Sequence, residues 1–266
     1  RQMCIRDSFV TAIQLTLLFI QLTLCGIASL EVNPMIGPFP DAFSEWGGKN
    51  AYLMLEKHQF FRLITPVLLH VGVLHFAANA FCQLEACALF EREWGSCRWI
   101  TAYLISGFGA VAASCVINPD EIGVSSSGAI MGLYGAKISQ VVAYNCFRVH
   151  SLHYLDVSRF DQMGGVFCSA SVVFLLSLVT YIDLSANVGG FVAGFLAGML
   201  LFCRGIASRC TRFLWAFVGF GGLVAGTVTL VYFLWVETYP DSELGDACEY
   251  FRSLYPEGYS CECQWG

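Results

Sequence analysis

Seven stretches of about twenty mostly apolar residues occupy most of this 266-residue chain. A helix of that length crosses about 30 Å of hydrocarbon, where every backbone polar group must be bonded within the protein. The composition agrees, since 56% of the residues are hydrophobic, 13% are charged and the mean hydropathy is +0.62. The sequence therefore predicts an all-α integral membrane protein with helices near residues 9–30, 63–84, 99–117, 123–145, 164–182, 184–203 and 213–236.

The basic residues predict the orientation of these helices. If the N-terminus is cytoplasmic, nine of the fourteen Lys and Arg residues lie on the cytoplasmic side, namely Arg1, Arg6, Arg92, Arg98, Arg148, Arg159, Arg204, Arg209 and Arg212. Four lie on the other side, namely Lys49, Lys57, Arg62 and Arg252, and Lys137 falls within the fourth stretch. Because basic residues are retained in the cytoplasm, we predict a cytoplasmic N-terminus and a luminal or extracellular C-terminus.

Two segments on the predicted outer side have distinct compositions. The first loop, residues 31–61, contains the helix breakers Asn33-Pro34 and several aromatic residues that suit the membrane interface. The tail, residues 237–266, is acidic and contains Cys248, Cys261 and Cys263, which predicts disulfide chemistry in an oxidising compartment. Since three is odd, one of these cysteines stays free or pairs elsewhere. The other ten are mostly in or beside helices, where they act as small hydrophobic residues, and no spacing predicts a zinc site.

Polar residues of types that carry out catalysis lie at similar predicted depth on three helices. The outer half of the second helix contains His70, His75 and Asn79, while Ser127 and Asn187 lie near the outer ends of the fourth and sixth helices. His75 and Asn79 are four residues apart and therefore share a helix face. A buried hydroxyl needs partners, because an unpaired polar group in hydrocarbon costs several kcal/mol. We expect these three segments to form one site.

Glycines at four-residue spacing follow both Ser127 and Asn187. Small residues at this spacing let transmembrane helices approach closely. Taken alone the glycines indicate only helix packing, but a run that begins directly after a buried serine is a more specific indication of a site. It would bring residues 127 and 187 within reach of each other. The glycines are Gly128, Gly132, Gly190, Gly194 and Gly198.

In these motifs the chain resembles the rhomboid family of intramembrane serine proteases. The resemblance covers about residues 31–203 and implies a rhomboid-like six-helix membrane core, which we place at 9–203. The additional C-terminal transmembrane helix, 213–236, resembles the seven-helix layout of eukaryotic secretory-pathway members, and residues 1–8 are treated as an incomplete or non-native leader. The motifs are Asn33-Pro34-x-x-Gly37-Pro38, Phe61-Arg62, His70-x4-His75-x3-Asn79, the loop with Glu91 and Gly95, Ser127-Gly128 and Ala186-x-x-Gly189-Gly190.

The resemblance also implies a role for each site residue. Ser127 would be the nucleophile, and its backbone N–H would form an oxyanion hole with the side chains of His75 and Asn79. Donors at such positions contribute on the order of 3 kcal/mol each to stabilising the tetrahedral intermediate. Water would enter through a cavity open to the outer side. Structural or gating roles would fall to His70, Gly128, Gly189 and Gly190.

Two positions depart from the family pattern. Ser125 stands where the family usually has glycine, two residues before the nucleophile. Asn187 stands where active members have the base histidine. A serine hydroxyl is a poor nucleophile until a base takes its proton, and an amide cannot do so at neutral pH. Because loss of this histidine costs a soluble serine protease about 10⁶-fold in turnover, we predict very low activity.

No other residue is an evident replacement for the base. Asp183 lies one helical turn before position 187, but we expect it to be a solvated loop residue, as we do His58. Lys137 lies nearly three turns deeper than the serine and is expected to extend towards the cytoplasmic surface. The two remaining histidines, His150 and His153, fall in a predicted cytoplasmic loop.

Two functions remain open. The chain is either a rhomboid-type protease that cleaves transmembrane substrates through Ser127, or a pseudoprotease that binds client transmembrane helices and controls their trafficking or stability. A transporter or receptor is disfavoured, because no internal repeat is visible and Lys137 is the only charged side chain well inside the helices. We expect transmembrane proteins and the lipid bilayer as partners, with no nucleic acid, metal or cofactor. We expect the secretory pathway or plasma membrane as the location rather than the mitochondrion.

Overall fold

The fold is given by a computed structural model that describes residues 5–147, 164–171, 183–255, 259–261 and 263. These residues form helices, turns and loops, with one isolated β-bridge between Lys49 and Gly123. Five helices among them are long and apolar enough to cross a membrane, namely Asp7–Leu24, Val73–Trp94, Ser96–Ile117, Leu184–Gly205 and Arg209–Glu237. The predicted all-α, multi-pass membrane fold is therefore confirmed.

The first half of the chain alternates long helices with a structured loop. Two short helices and two 3₁₀ turns separate the first long helix from the second, and the second contains a π-helical turn. The elements are α1 (Ile5–Leu24), α2 (Asp41–Glu45), α3 (Ala51–Glu56), 3₁₀ turns at Phe60–Leu63 and Thr65–Leu68, α4 (Val73–Cys82), the π turn Gln83–Cys87, α5 (Ala88–Trp94) and α6 (Ser96–Ile117).

The second half of the chain continues the helical bundle and ends in a short helix. They are α7 (Ser126–Cys146), a helical stretch α8 at 164–171, α9 (Leu184–Phe202), and α10 (Arg209–Tyr232) followed by the π turn Phe233–Glu237 and α11 (Ala247–Leu254). Most of the predicted span 164–182 and the loop with His150 and His153 lie outside the described residues.

The second membrane helix begins ten residues later than the predicted 63–84. The apolar residues before Val73 form 3₁₀ turns around Pro66, which has no N–H to donate to a helix. Gly72 precedes the helix where a Cβ atom would lie 2.3 Å from the carbonyl oxygen of Met35. The hydropathy of the sequence indicates the apolar stretch, but it contains no information about these backbone constraints on where the helix begins.

Helix α7 lies at the centre of the bundle, packed against α6 and α9. A Cβ atom at Gly190 would lie 2.0 Å from the carbonyl oxygen of Gly128, and one at Gly194 would lie 2.0 Å from that of Gly132. The backbones of α7 and α9 are thus in direct contact through glycines, as the four-residue spacing predicts. Although α7 has 21 residues, it is not among the five apolar spans. A helix enclosed by protein needs no apolar surface, so α7 carries many polar side chains.

Lys137 is buried within this core and does not extend towards the surface as predicted. Its ammonium group forms an ion pair with Glu93, donates to Gln140 Oε1 at 3.0 Å and lies 5.8 Å from the centre of the Phe90 ring. The side chain is 3% exposed. The prediction was wrong because a carboxylate from α5 lies within reach, so the charge is neutralised inside the protein.

The loop face is defined here as the end of the bundle that carries residues 25–72, 118–125 and the described residues 238–255, 259–261 and 263. Two disulfides stabilise it, Cys25–Cys263 and Cys248–Cys261. The odd cysteine of the tail therefore pairs with a residue at the end of α1. The separation of 238 residues between Cys25 and Cys263 explains why sequence reasoning left this pairing open.

Candidate active site

Ser127 is the second residue of α7 and lies at the loop face. The segment before it is held by a hydrogen bond from the N–H of Ser125 to the carbonyl oxygen of Pro66, 2.9 Å. Ser127 is 4% exposed and lines a cavity of about 490 Å³. His75 and Asp183 line the same cavity. The serine is therefore buried in the helix bundle and adjoins this cavity.

His75 and Asn79 lie on one face of α4, next to the start of α7. Nε2 of His75 is 3.0 Å from Nδ2 of Asn79, and Nδ1 accepts the N–H of Val71 at 3.4 Å. Asn79 Nδ2 donates to the hydroxyl of Ser126 at 3.0 Å. The structure therefore brings both side chains to the N-terminus of α7, where Asn79 donates to Ser126 rather than to Ser127.

His70 lies behind this pair and is 1% exposed. Its ring packs edge-on against His75 and Phe76, with ring centres 5.4 and 5.2 Å apart. Neither ring nitrogen has a hydrogen-bond partner among the described residues. Burial, with a further contribution from His75, holds the pKa of His70 well below its usual value. His70 is thus a neutral ring packed against the site and does not line its cavity.

Asn187 lies in the first turn of α9 and is fully buried. A Cβ atom at Gly128 would lie 3.0 Å from the carbonyl oxygen of Ala186, the residue before Asn187. Gly190, one turn further along α9, is packed against the backbone of Gly128. Residues 127 and 187 therefore lie at the same level of two helices in backbone contact. Ser127 lines the cavity and Asn187 lies in the packed interface beside it.

A buried polar network that the sequence did not predict forms another wall of the cavity. Lys49 is 1% exposed, and its ammonium group donates to Ser114 Oγ at 2.8 Å and to the carbonyl oxygen of Asn118 at 2.7 Å. The Ser114 hydroxyl donates in turn to the carboxylate of Asp183. The first loop is thereby connected to α6 and to the start of α9.

Asp183 is a capping residue, and the prediction that it is solvated was wrong. Its carboxylate accepts the N–H of Ala186 at 3.0 Å and the hydroxyl of Ser185 at 2.5 Å. Burial alone would raise the pKa of Asp183, but the charge of Lys49 and these hydrogen bonds outweigh it and hold the pKa below its usual value. The available signal was an Asp directly before a helical run, which is typical of an N-cap.

The backbone of Lys49 connects the same residue to the approach to Ser127. Lys49 N–H donates to the carbonyl oxygen of Gly123 at 2.8 Å, and Gly123 N–H donates back at 3.1 Å. Gly123 lies four residues before Ser127. One residue of the first loop therefore contacts the segment that leads to Ser127 and is connected, through the hydroxyl of Ser114, to the segment that leads to Asn187. The hydropathy of the loop does not predict that this lysine is buried at the site.

The site can bind and polarise a carbonyl group more readily than it can activate a nucleophile. Ser127 adjoins the N-terminus of α7, where backbone N–H groups favour a developing negative charge. His75 lines the same cavity. At the position beside the serine stands the amide of Asn187, which forms hydrogen bonds but does not accept a proton at neutral pH.

Comparison with known proteins places these features in a family. Residues 57–204 match the family model described as Rhomboid domain. RHOMBOID-like protein 7 of Arabidopsis thaliana is 31% identical over 177 residues, which are 65% of this chain and 53% of that protein. RHOMBOID-like protein 6, mitochondrial, from the same plant is 27% identical and covers 65% of this chain and 53% of its own length. Inactive RHOMBOID-like protein 8, also from Arabidopsis, is 29% identical over 62% of this chain and 45% of its own length. The chain thus spans about half the length of the curated relatives it matches.

Proposed function

Because the chain belongs to the rhomboid family, we propose that it is a rhomboid-type protein that binds transmembrane client proteins at the cavity of Ser127 and does not cleave them at a significant rate. Binding would control the trafficking or stability of the client. Its partners would be single transmembrane segments and the surrounding bilayer. The proposal keeps the architecture of an intramembrane serine protease and assigns the loss of turnover to one residue.

The observation that carries this proposal is the amide at position 187. Ser127 would be the nucleophile, and its proton must go to a base before it can attack a peptide carbonyl. Asn187 occupies the level of α9 where that base is needed, and its amide is not a base at neutral pH. Removing the histidine of a soluble serine protease costs roughly 10⁶-fold in kcat, so turnover here should be suppressed to a similar degree.

A second candidate function is slow proteolysis, and one feature favours it. Ser127 lines the cavity together with His75, and its volume of about 490 Å³ leaves room for a substrate carbonyl beside both residues. Binding and oxyanion stabilisation alone give a serine protease about 10³- to 10⁴-fold acceleration over water. The two candidates therefore share a binding site and differ in whether this residual rate matters in the cell.

We also propose the orientation and compartment. The loop face would be luminal or extracellular, because nine of fourteen basic residues then fall on the cytoplasmic side. The two disulfides of this face require an oxidising environment. These features support the secretory pathway or the plasma membrane, although the name of one relative assigns that protein to mitochondria.

The test compares the unaltered chain with three variants, each reconstituted in phospholipid vesicles with a fluorescent single-pass model substrate. The variants are Asn187→His, which supplies the base, Val188→His, which adds a histidine at an exposed neighbouring position, and Ser127→Ala. We expect cleavage only with Asn187→His, and loss of that cleavage when Ser127→Ala is added. Substrate binding, read by energy transfer, should be equal in the unaltered and Ser127→Ala proteins.

Three results would argue against the proposal. Cleavage by the unaltered chain that Ser127→Ala abolishes would favour the second candidate. Equal activity of Asn187→His and Val188→His would show that position 187 is not the base position. Absence of both binding and cleavage in every variant would exclude the cavity as a client site.

A further inference from the structure

The tail of the chain covers the cavity that contains Ser127. We define the tail as the described residues 238–255, 259–261 and 263, which lie beyond the stretch 57–204 that matches the Rhomboid domain. Helix α11 of the tail, together with Tyr255 directly after it, has an inner face whose partly buried aromatic side chains line the cavity, namely Tyr250, Phe251 and Tyr255. Its outer face is exposed and carries Arg252, Ser253 and Leu254.

Covalent bonds fix the tail in this place. The disulfide Cys25–Cys263 joins its end to the end of α1, with the two Cα atoms 4.6 Å apart. The disulfide Cys248–Cys261 joins α11 to the segment that follows it. Both bonds lie on the loop face, so α11 cannot move far from the cavity while they are intact.

Hydrogen bonds to buried residues add to these covalent bonds. The side chain of Asn50, which is fully buried, donates to the carbonyl oxygen of Leu244 at 2.9 Å. The hydroxyl of Tyr259 donates to the carboxylate of Asp41 at 2.5 Å. The tail is therefore packed against the rest of the protein both before and after α11 in the sequence. The inner face of α11 is held towards Ser127.

The size of the cavity decides what form of ligand can lie between the tail and the serine. A volume of about 490 Å³ is that of a small-molecule pocket, whereas a helix with its side chains is about 10–12 Å across. A transmembrane helix therefore cannot enter whole. An extended stretch of a few residues fits, and aromatic rings supply flat surfaces that pack against side chains and backbone of such a stretch.

We propose that the tail forms one wall of the client-binding cavity, and that Tyr250 and Tyr255 contact an extended client segment that flanks a transmembrane helix. This inference rests on the proposed function, because it assumes that a client reaches Ser127. It adds a binding surface outside the family domain. The chemistry of the partner is that of an extended peptide, with its backbone near Ser127 and its side chains against the aromatic rings of α11.

The test places a peptide in the cavity covalently, so that no natural client has to be known. In a Ser127→Cys protein, the thiolate of residue 127 attacks a pyridyl-disulfide group on a cysteine that flanks the apolar helix of a synthetic peptide. A mixed disulfide forms and pyridine-2-thione leaves. The unaltered protein, whose other cysteines are the same, measures background labelling.

A photoreactive benzoylphenylalanine then reports contact with the tethered peptide. It replaces Tyr255 on the inner face of α11 or, as the matched control, Leu254 on the outer face, which is 55% exposed. We expect cross-linking to the peptide from position 255 to exceed that from position 254 severalfold. A Cys248→Ala/Cys261→Ala pair, which releases α11, should reduce the cross-linking from position 255.

Each outcome bears on a separate statement. A tethered peptide that cross-links equally from positions 254 and 255, or from neither, would overturn the role of the tail while leaving the cavity as a binding site. If residue 127 cannot be labelled above background even after the disulfides of the tail are removed, the cavity is not reachable and the proposed function itself fails.

Discussion

A lysine that is almost completely buried needs its charge balanced, and Lys49 has this balance in Asp183, through the hydroxyl of Ser114. The contact sets the geometry of the site because it joins three chain segments that are far apart in sequence. Asn187 has the opposite character. In the proposed function its consequence is chemical, since an amide at this position would leave the neighbouring serine without a base.

We predict that Lys49→Met destabilises the protein by about 1–3 kcal/mol, because it leaves the Asp183 carboxylate partly buried without its cation. Lys57→Met is the matched control, since Lys57 belongs to the same loop but is exposed. Thermal unfolding in detergent measures both. Asp183→Asn should cost less when added to Lys49→Met than alone. Equal melting temperatures for Lys49→Met and Lys57→Met would contradict the network.

At the scale of single elements, apolar length predicts that a membrane helix exists and predicts its ends less well. The third and sixth predicted spans, 99–117 and 184–203, lie within a few residues of α6 and α9. The second differs by ten residues because backbone contacts around Gly72 and 3₁₀ turns around Pro66 delay the helix. Helix α7 is the opposite case. It is not among the five apolar spans, and it lies in the bundle because other helices enclose it.

We predict that Gly190→Ala destabilises the pair α7 and α9 by about 1–3 kcal/mol through overpacking. The new methyl carbon would lie 2.0 Å from the carbonyl oxygen of Gly128, so the helices must separate. Gly226→Ala on α10 is the control, because nothing lies within 4 Å of its Cβ position and alanine favours helix. Unfolding in detergent should show a loss for the first variant and no loss for the second. A neutral Gly190→Ala would exclude close packing at this point.

At the scale of the molecule, the family domain and the tail enclose the cavity together. The Rhomboid domain at 57–204 supplies Ser127, His75 and Asp183, while the first loop supplies Lys49 and the tail supplies three aromatic side chains. One disulfide connects the tail to the end of α1, and the other closes a loop within the tail. The environment of the serine therefore depends on segments from both ends of the chain.

We predict that the Cys25→Ala/Cys263→Ala protein is less stable than the unaltered chain by about 2–5 kcal/mol, because the lost bond closes a long loop. Cys210→Ala removes a free, exposed cysteine and serves as the control. A reducing agent should lower the melting temperature of the unaltered chain and leave that of the double variant closer to its starting value. Identical responses of the two proteins to reduction would show that this disulfide does not form.

The sequence by itself determined the all-helical membrane fold, the family and the residues to inspect, because hydropathy and short motifs are local properties of the chain. It predicted Ser127, His75, Asn79 and Asn187 as a set without fixing which of them touch. Only the tertiary structure decided that Lys49 pairs with Asp183, that Lys137 is neutralised by Glu93, and that Cys25 pairs with Cys263. Each of these contacts joins residues dozens to hundreds of positions apart. The free energy of a charge or thiol depends on what folding brings next to it, which no local pattern encodes.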